Sequence, residues 1–388
     1  MGWIIQAGIY GAGAGVVTAI TLWAMKSLEH LLWSGAHNTW HTGAIVVLGG
    51  ALIAAIRHHM PEASIQQLLD AAQDRVHVQR RWVLAVALTA IVAVAFGGAV
   101  GPEAGLIAVI LELSSLIALR LSRDRARQKA LTEVAVSASL SAWYGSPPGA
   151  AHQAQGEDRV PKPLLWWAGL TGLLGFGWAA QHILGGGLHK LSLPAHVPTG
   201  DGTDLIWAFL PALLGVALGL GFAALLPRCR ALLARVGGPV AQTLTGTVLF
   251  AGLVMAWPVL RFSGHHELEF LPDWLQTWGA SGLLALAALK VLALCICLAS
   301  GWLGGAIFPL LMVGGCAGLA SLALWPAIPP AVAMAAGMSA AATVGMGKPM
   351  LVILILVFFA GAHTLPAVCM GAVLGYLALQ RWPHSAAH

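Results

Sequence analysis

Charged residues are scarce in this sequence: Asp, Glu, Lys and Arg make up 9% of its 388 residues, while hydrophobic ones make up 58%. A soluble globular domain is nearer one quarter charged. With a mean hydropathy of +0.81, the chain reads as an integral membrane protein. Residues 291–347 contain none of the four charged types, which is room for more than two spans of about 20 residues each. No nucleophile–base pair and no phosphate-binding loop emerges, which argues against a soluble-type enzyme and leaves no cofactor to expect. Cysteine is sparse as well. Cys229, Cys295, Cys297, Cys316 and Cys369 are odd in number, sit mostly in apolar runs and match no zinc spacing, so they read as small core residues. The opening Met1-Gly2-Trp3-Ile4 lacks a basic stretch, and no cleavable signal peptide is expected. Gln6 stands where a myristoylation signal has Ser or Thr.

The formal net charge is +5, a balance that in a soluble protein would suggest nucleic acid. Here the basic residues gather at the edges of apolar runs instead: Arg75, Arg80 and Arg81, then Arg120 to Lys129, then Arg228, Arg230 and Arg235. The positive-inside rule assigns such loops to the cytoplasm, so membrane lipid, not nucleic acid, is the expected surrounding. Apolar runs with Gly, Pro or charged punctuation predict helices over roughly 3–33, 42–58, 64–74, 82–99, 104–121, 128–143, 147–155 and 162–185. A Gly/Pro-rich loop then leads to 204–234, 238–260, 271–278, 280–299, 306–324, 330–345, 348–360 and 364–381. The expected fold is all-α and polytopic, a single membrane domain over 1–388 with halves at 1–185 and 204–388. Several helices are too short to cross a hydrocarbon core of about 30 Å. Broken helices survive at that depth only where protein or a water-filled cavity surrounds the freed backbone groups.

Two breaks stand out. Glu103, in Gly101-Pro102-Glu103-Ala104-Gly105, is the only charged residue between Arg81 and Glu112. An ionisable group at membrane depth is costly, so its default reading is functional. The second break is Gly301-Trp302-Leu303-Gly304-Gly305-Ala306-Ile307-Phe308-Pro309. Paired Gly/Pro-interrupted segments in two halves point to a transporter's binding site. An internal repeat supports the pairing. Ser137-Ala138-Ser139-Leu140-Ser141-Ala142 before Gly145-Ser146-Pro147 recurs 202 residues on, as Ser339-Ala340-Ala341-Ala342-Thr343-Val344 before Gly347-Lys348-Pro349.

A half-helix that starts at mid-depth aims unpaired N–H groups and its positive dipole end into the protein, a site for an anion without a cationic side chain. Backbone amides at Gly101, Ala104 and Gly105, and at Ala306, Ile307 and Phe308, are the expected donors. A carboxylate competes for the same N–H groups. Protonating Glu103 or swinging it away would open the site, which either couples anion movement to protons or gates a channel.

At these residues the sequence resembles the CLC chloride channel and transporter family. Val100-Gly101-Pro102-Glu103-Ala104-Gly105 is similar to the family's G-[K/R]-E-G-P segment, whose glutamate is the external gate. Ser300 to Pro309 resembles the S-G-x-x-G-G-x-F-x-P segment that supplies anion-binding amides. Trp143-Tyr144-Gly145-Ser146-Pro147-Pro148-Gly149 is similar to F-N-A-P-L-A-G, and Ala336-Gly337-Met338 through Pro349 follows the family's later pair of small-residue helices. The resemblance covers nearly the whole chain. It implies an inverted repeat with broken and re-entrant helices, a homodimer, and transport of a small anion, chloride first, by proton exchange or passive conduction. A bacterial inner membrane is the expected location.

The departures shape the remaining expectations. The G-S-G-I-P motif that gives the family a serine at its central anion site is not legible. Aligning Met60-Pro61-Glu62 with its end puts His58 in the serine's place, with Ser64 as a substitute. Glu157 falls where exchangers carry an internal proton-transfer glutamate. Lys348, before Pro349, would neutralise a helix end or line the inner mouth of the anion path. The last apolar run stops near Arg381, before the final helix with the family's anion-contacting tyrosine, which Tyr144 or Tyr376 would have to replace. Lys290, a lone cation in an apolar helix, either attracts anions, snorkels or pairs. His265-His266-Glu267-Leu268-Glu269 reads as a wet loop and not as a metal site. Transport of another small anion such as fluoride is the alternative within this class, and a non-transporting membrane scaffold or sensor is the alternative outside it.

Overall fold

The computed structural model describes residues 2–35, 38–59, 80–121, 124–154, 160–184 and 193–382. Among them run fourteen α-helices: α1 Gly2–Trp33, α2 Thr39–His59, α3 Arg80–Ala95, α4 Glu103–Leu121, α5 Arg125–Tyr144, α6 Pro147–Ala154, α7 Lys162–His182, α8 Thr203–Ala234, α9 Pro239–Ala256, α10 Leu271–Ala299, α11 Ile307–Ala320, α12 Pro330–Met346, α13 Pro349–Ala360 and α14 Leu365–Arg381. Among the described residues six apolar stretches are long enough to cross a membrane, while the helices within 85–95, 307–323, 330–346 and 349–360 are apolar but short. The predicted 64–74 helix lies outside the described residues.

Proline and glycine set most boundaries. Pro147, Pro239, Pro330 and Pro349 open their helices, the position where a missing N–H costs nothing. Gly145 and Gly347 end α5 and α12 in the left-handed region, at φ 65° and 67°, a conformation glycine adopts without a Cβ clash. Gly279, at φ 67°, splits α10, as the separate predictions of 271–278 and 280–299 require. Some ends fall short of expectation, as at Ala320, where a 3-10 turn replaces the last residues expected of α11. The helix expected to reach residue 99 stops at Ala95, where Gly97 turns to φ 86°. The one expected to reach 260 stops at Ala256, because Pro258 cannot donate to the next turn and a 3-10 turn, Pro258–Leu260, follows.

The chain forms two compact units. The first holds Met1–Ser34, Ala55–Ala95 and Pro102–His189; the second holds Gly35–Ala54, Phe96–Gly101 and Lys190–His388. In the first, α1 lies against α7 where Gly11 and Gly15 meet Ala168, Thr171 and Gly172, and Gly172 in turn meets Ala138 of α5. In the second, α12 is the hub, with Ala331 to Gly345 all buried. Gly215 and Gly219 of α8, Gly314 and Gly318 of α11, and Gly371 and Gly375 of α14 bring their backbones onto its Ala and Gly residues. Such small-residue faces replace the hydrophobic effect as the driving force where lipid is the solvent.

The repeat recurs in hydrogen bonding. Ser137 Oγ donates to Leu165 O at 3.2 Å, tying α5 to α7, and Ser339 Oγ donates to Val368 O at 2.7 Å, tying α12 to α14.

Candidate functional site

The second break belongs to the second unit and is clamped from α9. Thr243 Oγ1 donates to Ser300 O at 2.8 Å, and Gly246 lets the Ser300 side chain press onto the helix. The fully buried Trp302 donates from Nε1 to Thr247 Oγ1 at 3.0 Å and meets the Phe250 ring edge-on, centroids 5.5 Å apart. Phe96–Gly101 runs beside this loop. Gly101 and Gly305 exchange two hydrogen bonds, N–H to O at 2.8 and 3.0 Å, as a one-residue antiparallel bridge. Any side chain at Gly304 would collide with Val100. The next residue, Ala306, is the N-cap of α11 and supplies no side-chain hydrogen bond to it. Ile307, Phe308 and Pro309 form the buried first turn. Of the expected amide donors, Gly101 needs correction, because its N–H donates to Gly305 O and cannot serve an anion; Ala306 to Phe308 follow directly after the bridge at the start of α11.

Glu103 belongs to the first unit, where it is the first residue of α4 and 2% exposed. A carboxylate in the first turn is favoured by the helix dipole. Ala104 is buried, and Gly105 leaves space for Met25 of α1 and Ala90 of α3, whose nearest atoms would lie 2.7 and 3.3 Å from a Cβ there. Tyr144, at the end of α5 and fully buried, interacts electrostatically with Glu103. Tyr144 had only a stand-in role on sequence grounds; its neighbourhood with Glu103 depends on the packing of α4 against α5 and has no sequence signal.

The remaining candidates scatter. His58 is exposed at the C-terminal end of α2, its ring edge-on to His59 at 4.9 Å. Lys348 is the half-buried N-cap of α13. Ser64 and Glu157 lie outside the described residues. Tyr376 is exposed on α14. Lys290 pairs: buried, its Nζ donates to Leu260 O, Arg261 O and Phe262 O at 3.1, 3.1 and 2.8 Å. The wet-loop reading of His265 to Glu269 holds for the exposed His266 and Glu269 but not for the whole segment. Leu268 is fully buried, and the His265 ring packs on Phe308 and Phe359, because the loop folds over α11.

Comparison with known proteins gives these features a context. A family profile described as voltage gated chloride channel matches residues 44–380. YfeO of Shigella flexneri is 28% identical over 344 residues, covering 83% of this chain and 79% of its own. YfeO of Escherichia coli K12 is similar to the same extent. Among solved structures, a slow cyanobacterial Cl⁻/H⁺ antiporter superposes with a TM-score of 0.79 at 16% identity, over 98% of this chain and 94% of that one. A CLC-type fluoride/proton antiporter superposes with a TM-score of 0.73 at 18% identity, over 98% of each. At these identities the structural likeness establishes the fold.

Proposed function

The chain belongs to the voltage gated chloride channel, or CLC, family of anion transport proteins, and from that premise we propose that it exchanges a small anion, chloride first, for protons across a bacterial inner membrane. In this reading Glu103 is the gate, and the amides of Ala104, Gly105, Ala306, Ile307 and Phe308 receive the anion, while the Gly101 N–H is held by Gly305 O. The protein acts as a homodimer. The observation that supports it best is the Gly101–Gly305 bridge. It fastens Gly101, two residues before Glu103 in the sequence, to Gly305, one residue before Ala306. Proton exchange is preferred to passive conduction because Glu103 combines burial with a helix start, where protonation removes the charge that competes with the anion. Two structures of the same fold are also described as exchanging chloride or fluoride for protons.

The test is flux from proteoliposomes, with chloride and fluoride in parallel and proton movement recorded alongside. Wild type should show anion-driven proton movement, whereas Glu103→Gln and Glu103→Ala should retain anion flux with proton movement abolished. If neither substitution changes the flux or its pH dependence, the gate assignment fails.

A further inference from the structure

The loop at residues 257–270, between α9 and α10, has no part in the reading above, yet the second unit fixes it from several directions. Lys290 of α10 holds the carbonyls of Leu260, Arg261 and Phe262. Phe262 sits at φ 58°, the one positive φ outside glycine among the described residues, and its N–H donates to Gly97 O at 3.1 Å. A non-glycine residue persists there only where its surroundings over-determine it. Gly264 then packs on Met312 of α11, while Leu268 and Leu271 cover Gly315 of the same helix. The outcome is a three-ring cluster on the first turn of α11. His265 meets Phe308 at 4.9 Å and 74°, and Phe359 of α13 at 5.4 Å and 47°; Phe308 and Phe359 meet at 5.6 Å and 70°. Phe308 is wholly buried and His265 only partly so.

We propose that His265 is a proton-operated gate over the start of α11. As neutral imidazole it closes the ring cluster, and as imidazolium it sets a positive charge beside the Phe308 turn and admits the anion. The inference rests on the reading of Ile307 and Phe308 as anion donors. Imidazole is the side chain whose ordinary titration falls between about pH 5 and 8, and its charge would reinforce the helix's positive end. α11 and α13 carry no Asp, Glu, Lys, Arg or His. The loop itself brings His266, Glu267 and Glu269, α10 brings Lys290, which interacts with Glu267, and His363 follows Phe359 after α13. The positive-inside rule, applied to Arg228, Arg230 and Arg235 at the end of α8, puts the far end of α9 and this loop outside. The gate therefore reads external pH.

The experiment uses the full chain in liposomes, with chloride efflux recorded as external pH is stepped from about 7.5 to about 5.5. It is run on wild type and in the Glu103→Gln background, which removes the carboxyl's own titration. Efflux should rise roughly three- to tenfold as His265 protonates, as expected for a charge brought to a partly buried site. His265→Phe, which keeps the ring packing, should hold the alkaline level at every pH. His265→Gln, which keeps a polar planar group without a titration, should do the same, and serves if the Phe variant fails to fold. His266→Gln should follow wild type. A pH-dependent rise that survives in both His265 variants overturns the inference and leaves the transport reading standing. Absence of chloride and fluoride flux at every pH, with Glu103 intact or replaced, overturns both.

Discussion

An ammonium shut away from water is tolerable only when each of its protons finds an acceptor. Lys290 meets that condition with three carbonyls of consecutive residues, so it staples a turn to a helix interior. Lys290→Met keeps the volume and removes the donors, leaving those carbonyls short of partners. A loss of about 2 kcal/mol or more is expected, read as a lower apparent melting temperature in detergent. An unchanged melt would mean the three bonds contribute nothing net. The same residue shows where sequence reasoning stops. Lys290 stood out as a lone cation, but its acceptors are backbone groups about thirty positions earlier, and backbone carbonyls carry no sequence signature. Glu103 was legible for the opposite reason: its isolation and its Gly/Pro surroundings are both local. Tyr144 and His265 gain their meaning from partners on other elements, Glu103 in one case and Phe308 and Phe359 in the other.

Among the elements, boundaries set by proline and glycine were readable almost throughout, because their causes are local. The split at Gly279 and the paired turns at Gly145 and Gly347 are examples. The early end of α3 was not, since Gly97 leaves the helix for a hydrogen bond with the distant Phe262. The repeat makes a quantitative comparison possible. No atom lies within 4 Å of a Cβ added at Gly145 or Gly347, so alanine there carries only the left-handed backbone cost, about 1 kcal/mol at each. Gly337 differs, because a methyl group there would run into the Gly314 carbonyl and the Gly318 backbone, its α-carbon at 3.0 Å. Overpacking of that kind costs about 2–3 kcal/mol. Thermal melts of Gly145→Ala, Gly347→Ala and Gly337→Ala should rank the first two together and the third well below. If Gly337→Ala melts with the others, the backbone contact between α11 and α12 is looser than the geometry requires.

For the whole molecule, the orientation in the membrane decides which solution each site meets, and α8 is the element on which to fix it. Its 32 residues rise about 48 Å, beyond a hydrocarbon core of about 30 Å, so both ends reach the aqueous phases. Arg228, Arg230 and Arg235 mark one end. The other end is acidic: Asp204 pairs with His196 at 3.0 Å, and hydrogen bonds from Thr203, then from Thr199, pull Asp201 down to about 2, which keeps it ionised. The asymmetry predicts the basic end in the cytoplasm. Thr199 and Arg235 are exposed, and four of the five native cysteines are buried, so single thiols can be introduced against a quiet background. In intact cells, a membrane-impermeant maleimide should label Thr199→Cys at once and Arg235→Cys only after permeabilisation. The reverse pattern would turn the chain over. It would place the His265 loop in the cytoplasm, where external pH could no longer reach it, while leaving the gate assignment of Glu103 untouched.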